Sequence, residues 1–300
     1  MTIKNYLSID VEDYFQVSAF EEVSPQTTWS GIAGRAERNT DKILQLLDER
    51  KIKATFFILG WIAEHYPQIP LKIAAHGHEI ASHGYYHQRI CNMNRGGFRA
   101  DIRTSKSLLE DLTGTPVCGY RAPSYSISHD TEWAFDELLA AGYLYDSSIF
   151  PIRHDFYGMP DWPRFSGYAV KGCDGSWMPA QEFRVGSPNI MELPITTVEI
   201  LGYKLPIAGG GYFRLLPYSV SRWGLRRIND QDRRPFVFYL HPWELDPDQP
   251  RMENVSFKSR FRHYLNLEET EGRFRRLLDD FEFTTIRQGL VSADKGVTLQ

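Results

Sequence analysis

Disulfide chemistry, nucleic-acid affinity and membrane insertion are the first things this sequence argues against. Three cysteines occur in 300 residues, Cys91, Cys118 and Cys173, an odd number at wide spacing with no C-x-x-C pair. That fits neither a disulfide framework nor a zinc ribbon, and reduced thiols are expected. No charge of one sign dominates: 34 Lys and Arg against 38 Asp and Glu leave a net charge of −4, without the basic tail that nucleic acid attracts. The longest apolar run, roughly 54–63, falls far short of the ~20 residues needed to cross a bilayer. The opening residues reach Asp10 too soon for a secretory leader. A cytoplasmic protein with no transmembrane segment is therefore expected.

What is present is an alternation. The run Tyr6-Leu7-Ser8-Ile9 stops at Asp10-Val11-Glu12-Asp13, as a buried strand does on leaving a sheet. Ile43, Leu44, Leu46 and Leu47 form a helical stripe over 41–51, with Asn39 or Thr40 as its cap. A β-branched and aromatic strand follows at 54–59, then a helix over 61–76 and a strand at 78–82. Helices at 97–112, 130–140 (capped by Ser128), 218–229 and 267–281 alternate with strands at 117–120, 143–145, 235–240 and 283–286. Strands and helices joined by short links predict an α/β fold with a parallel sheet, here a distorted (β/α) barrel of about seven strands. The chain reads as a single domain over 1–300, with an irregular insertion at 150–215 and a C-terminal extension at 245–300. The insertion is Pro- and Gly-rich, includes Gly209-Gly210-Gly211, and elaborates one face of the barrel.

Chemistry gathers at the strand ends. Asp10, His83, Arg121, Asp146 and His241 each follow or close a predicted strand, on the face where parallel barrels and open α/β sheets build active sites. The spacing of His83 and His87 is expected to put both imidazoles on one side of a helical turn. Two imidazoles and one carboxylate leave a divalent ion with positions for water and substrate. Among Asp10, Glu12 and Asp13, one acid can bind metal and another act as general base. Arg121, stiffened by Pro123, can orient a carboxylate, and His241 at the barrel mouth can act as general acid.

These segments resemble, in order, the motifs of the polysaccharide deacetylases of carbohydrate esterase family four, the group with a nodulation-type deacetylase domain. Asp10-Val11-Glu12-Asp13 resembles the first motif, Ser82-His83-Gly84-Tyr85-Tyr86-His87 the histidine motif, Arg121-Ala122-Pro123 the third and Leu240-His241 the last. The resemblance implies Asp10 as base, Arg121 orienting it and His241 protonating the leaving amine. It also implies a metal on His83, His87 and either Glu12 or Asp13, the Asp-x-acid spacing favouring Glu12. The ion would be Zn2+, with Co2+, Ni2+ or Mn2+ as alternatives. Ser124, where the family usually has Tyr, and Tyr125 are the substrate-binding candidates. The fourth motif is split: Asp146 has the position and Asp161-Trp162 the letters, so Asp146, Asp155 or Asp161 is expected to support His241. The stretch from Leu240 to Pro247 resembles a subgroup tied to exopolysaccharide biosynthesis and export.

The implied function is metal-dependent hydrolysis of N-acetyl groups on an amino-sugar polymer or its precursor, with acetylated oligo- or polysaccharide as partner. Tyr157, Trp162, Trp177 and Tyr212 are candidates to line a sugar groove. The alternative is an allantoinase-like amidase on a small or cyclic amide, with or without metal.

Overall fold

The computed structural model describes residues 3–154, 157–165, 168–171, 176–179 and 189–293. Its strands, in chain order, are β1 (Asn5–Val11), β2 (Thr55–Ile58), β3 (Glu79–Ser82), β4 (Gly119–Tyr120), β5 (Tyr145–Asp146), β6 (Tyr168–Lys171), β7 (Ser176–Pro179), β8 (Asn189–Glu192), β9 (Thr197–Ile200), β10 (Tyr203–Pro206), β11 (Val237–Leu240) and β12 (Phe283–Thr284). Seven of them run parallel in the order β11-β1-β2-β3-β4-β5-β8, and an antiparallel β6–β7 hairpin extends the β8 edge. The sheet curls into a half-barrel, and Val237 N of the β11 edge donates to Thr196 Oγ1, four residues past β8, at 2.7 Å. This is the barrel-type α/β architecture expected.

Every residue of β1 and β2 is buried, which explains why these strands read as continuous apolar runs and not as alternating ones. The helix Ala36–Asp48 covers the sheet with Ile43, Leu44, Leu46 and Leu47, as the stripe predicts. Arg95–Thr113 is capped by the Asn94 side chain, which accepts from Gly97 N, and ends at Gly114 in the left-handed region.

Several boundaries differ from expectation. Asn39 and Thr40 lie inside the first helix, not at its start. Its orphan N–H groups are met from outside, Asp13 Oδ2 accepting from Arg35 N at 2.6 Å and Ala36 N at 2.8 Å. The helix expected over 61–76 is two helices, Gly60–His65 and Gln68–Ala75, interrupted beside Pro67. Within 150–215 the structure places β8 in the main sheet, the antiparallel pairings β6–β7, β6–β8 and β9–β10, and the helix Gly210–Leu215. Phe257–Tyr264 is a further helix that the periodicity does not announce, because only His263 of it is buried. Cys91 is an exposed and Cys118 a buried free thiol, while Cys173 lies outside the described residues. Among the described residues no helix is long and apolar enough to cross a membrane.

The Gly209-Gly210-Gly211 segment passes hard against β11. Gly209 has φ +130°, and a Cβ there would stand 2.0 Å from Tyr239 O. Gly209→Ala is expected to lower stability by at least ~1–3 kcal/mol, the usual cost of forcing a side chain into such backbone, read as a lower urea midpoint.

Candidate active site

Asp10 lies within β1 and Glu12 follows it; His83, Arg121 and His241 are the first residues past β3, β4 and β11. Ladder hydrogen bonds fix their backbones: His83 N donates to Ile58 O and Arg121 N to Ser82 O, each at 3.0 Å. The side chains therefore converge on one rim of the barrel.

The two histidines expected to hold a metal do not share a helical turn. Residues 83–89 form a loop, with Gly84 at φ +74° and His87 at φ +53°, values an α-helix excludes. The loop is pinned instead by Gly60 N and Trp61 N, which donate to Gly84 O and Tyr85 O, and by Asp101 Oδ2, which accepts from Tyr85 N. Folded this way it still brings the rings to a 5.4 Å centroid separation.

Glu12, His83 and His87 each offer a ligand atom within 4.8 Å of the others. The donors suit a divalent ion. His83 Nδ1 donates to Arg121 O at 2.8 Å, which fixes the tautomer and leaves the Nε2 lone pair free. Burial first, and His87 among its neighbours, keep the His83 imidazole neutral, lowered to about 4. Glu12 would be pushed up by burial, but His87, His241 and His83 hold it far below the usual carboxylate range. Its Oε2 is buried and lies 2.7 Å from His87 Nε2, with no other hydrogen-bond partner, the condition of an anion that a cation would suit. Asp13 is turned away, both oxygens being taken by backbone N–H groups of Tyr14, Arg35 and Ala36.

Asp10 Oδ1 accepts from Arg121 Nη1 at 2.6 Å, and Tyr125 Oη donates to Oδ2 at 3.4 Å. Arg121 is fully buried and also donates to Ser8 Oγ, Ser147 O and Ser147 Oγ. His241 Nε2 stands 4.0 Å from Asp10 Oδ2 and 3.5 Å from Glu12 Oε1. Burial pushes His241 down, but Glu12, Glu244 and Asp10 reverse this and raise it to about 9, so the ring carries a proton at neutral pH.

Among the described residues, the acid that pairs with His241 is neither Asp146 nor Asp161. Asp146 is buried among Ser148 and Glu192. Asp161 is exposed and pairs with His129, and Asp155 lies outside the described residues. Glu244 does it, its Oε1 2.5 Å from His241 Nδ1 and accepting from His241 N at 3.1 Å. Glu244 Oε2 is held by Arg214 Nε at 2.7 Å. The His-x-x-Glu spacing, a residue and its N3 acid at the start of a turn, is the signal that identifies it. Glu244→Gln is expected to cut kcat about tenfold or more with little change in KM, measured by steady-state kinetics, because a charged hydrogen bond to the ring becomes a neutral one.

Residues 28–143 match the family profile described as polysaccharide deacetylase, and residues 147–291 match a domain of unknown function, DUF3473. Residues 28–143 are thus similar to polysaccharide deacetylase domains. A peptidoglycan-N-acetylglucosamine deacetylase of Bacillus cereus is 35% identical over 99 residues, 33% of this chain and 36% of that protein. A peptidoglycan deacetylase of Helicobacter pylori is 30% identical over 45% of this chain and 44% of its own. The chain thus spans less than half the length of the curated relatives it matches. A Mycobacterium smegmatis crystal structure assigned to the polysaccharide deacetylases shares the fold at TM-score 0.58 and 18% identity, covering 100% of this chain and 98% of its own.

The matched deacetylase stretch holds His83, His87 and Arg121, whereas Asp10 and Glu12 precede it and His241 lies in the stretch after it. Parallel pairing of β1 with both β2 and β11 joins them. The cleft above this rim encloses about 520 Å³ and is walled by Ser124, Tyr125, Tyr157 and Arg262 among others. Ser124 and Tyr125 both take left-handed backbone conformations, and Ser124 Oγ meets Ser18 Oγ at 2.5 Å. Of the other aromatics expected to line a groove, Trp162 is in the core and Tyr212 packs on Phe150. The Trp177 side chain lies outside the described residues.

Proposed function

We propose that the protein removes N-acetyl groups from an amino-sugar polymer or its precursor, releasing acetate, with a divalent metal on Glu12, His83 and His87. One observation carries the reading: the three donors, Asp10 and His241 face a single point at one end of the barrel, with Asp10 and His241 4.0 Å apart. The curated relatives named as deacetylases of peptidoglycan support the substrate class.

A bound divalent ion would supply Lewis acidity at the acetyl carbonyl and acidify water, and zinc suits His₂-carboxylate donors well. The chain's own groups do the proton work. Arg121 occupies Asp10 Oδ1 and leaves Oδ2 to take a proton from attacking water. Protonated His241, aimed by Glu244, returns a proton to the departing amine. Ser124 and Tyr125 line the cleft and are the residues proposed to contact the substrate. The resemblance of the stretch from Leu240 to Pro247 extends the proposal to exopolysaccharide as the polymer.

The test is acetate release from N-acetylated oligosaccharides by chelator-stripped protein, with Zn2+, Co2+, Ni2+ or Mn2+ added back. Stripping should abolish release and one or more ions restore it; full activity of the stripped protein would sink the metal reading. His83→Ala should lose bound metal and turnover together. Turnover of a cyclic amide, with no acetate released from sugars, would favour the amidase alternative instead.

A further inference from the structure

A buried group that plays no part in this scheme sits directly behind it. Asp146 and Glu192 are register partners on β5 and β8, both fully buried. Burial pushes both carboxyl groups up; Asp146 raises Glu192 further, whereas hydrogen bonds to Glu192 and Ser148 pull Asp146 partly back. Two ionised carboxylates so placed would repel strongly, so the pair keeps one proton between them. Glu192 Oε1 also accepts from Ile149 N at 3.0 Å.

Asp146 in turn fixes Ser148. Its Oδ1 accepts from Ser148 Oγ at 2.6 Å and its Oδ2 from Ser148 N at 3.0 Å. With its proton committed to Asp146, the Ser148 hydroxyl can only accept on its other side, and there Ala122 N donates to it at 2.7 Å. That N–H belongs to the Arg121–Ala122 peptide group, whose carbonyl oxygen receives His83 Nδ1–H at 2.8 Å. One rigid amide thus links the two ends: N–H toward Ser148 and Asp146, C=O toward the imidazole. Every bond of the chain is buried, where aligned dipoles reinforce each other.

We propose that Asp146, Ser148 and Glu192 form a positioning relay that acts through the Arg121–Ala122 peptide to hold His83 with Nε2 bare and strongly donating. The inference rests on the reading of His83 as a metal ligand. Hydrogen-bond partners of ligating imidazoles raise ligand basicity and govern metal affinity by 10–100-fold, and here the partner is the peptide, itself polarised from Asp146.

The test measures metal affinity by chelator competition and the visible spectrum of the Co2+-loaded protein, in wild type, Ser148→Ala, Asp146→Asn and His83→Ala. Ser148→Ala and Asp146→Asn should bind Co2+ or Zn2+ about tenfold or more weakly, with displaced Co2+ bands, a change that mere loss of stability does not produce in the folded fraction. Asp146→Asn preserves shape and carries the test alone if Ser148→Ala fails to fold. Wild-type affinity and spectrum in the folded relay variants, with metal lost in His83→Ala, would overturn the relay and leave the functional reading standing. Wild-type metal binding in His83→Ala would overturn the metal reading, and the relay with it.

Discussion

Asp10→Asn is expected to lower kcat by about 10²–10⁴-fold, the contribution of a positioned general base, while leaving metal content unchanged. Asparagine keeps the shape of Asp10 and one acceptor for Arg121, but it has no basic oxygen. Arg121 cannot compensate by moving, since its other donors are committed to Ser8 and Ser147 and its guanidinium lies 4.1 Å over the Phe57 ring. Glu12, His83 and His87 take no hydrogen bond from Asp10, so the donor set survives. Elemental analysis beside acetate-release kinetics checks both halves. A variant with near-wild-type kcat would remove Asp10 from the role.

Arg214→Met should be the most damaging change outside the rim. Arg214 is buried and donates to Glu244 Oε2 at 2.7 Å, His263 O at 2.7 Å and Leu265 O at 3.0 Å. Its removal strands a buried carboxylate and two carbonyls, and breaking such a pair from one side typically costs about 3–5 kcal/mol. The double variant Arg214→Met/Glu244→Leu removes the stranded charge and should regain much of that stability, yet it should not regain turnover, because His241 then has no acid behind it. Urea denaturation and kcat, measured on the same samples, separate the two effects. Recovery of kcat in the double variant would show that Glu244 only fills space.

The rim was legible because a parallel sheet declares itself twice: in apolar runs such as Thr55–Ile58, and in the polar residue that ends each run. Asp10, His83, Arg121 and His241 stand at such ends, so their convergence followed from topology alone. Backbone detail did not follow. The His83–His87 spacing suggested a helix because side-chain spacing carries no record of the left-handed turns at Gly84 and His87. β8 was hidden since Asn189–Glu192 is four residues long and lies in a Pro- and Gly-rich stretch. Glu244 escaped notice because it follows a strand by four residues instead of ending it, and its meaning depends on Arg214, thirty residues away. Asp146, one of the three acids expected to back His241, faces Ser148 and Glu192 instead because its strand neighbour is β8.

The central place of β1 has a consequence for when, in the life of the chain, this chemistry can exist. β1 takes its two long neighbours from opposite ends of the sequence: Ser8 Oγ reaches Phe238 O across 230 residues. Synthesis runs at about 5–20 residues per second and folds what has emerged, so the histidines and Arg121 can be threaded into a sheet well before His241 exists. A nascent or truncated product therefore carries a partial ligand set without its proton donor. Such non-local closure is slow, and translation itself becomes a timer that keeps hydrolysis off until β11 and His241 have emerged.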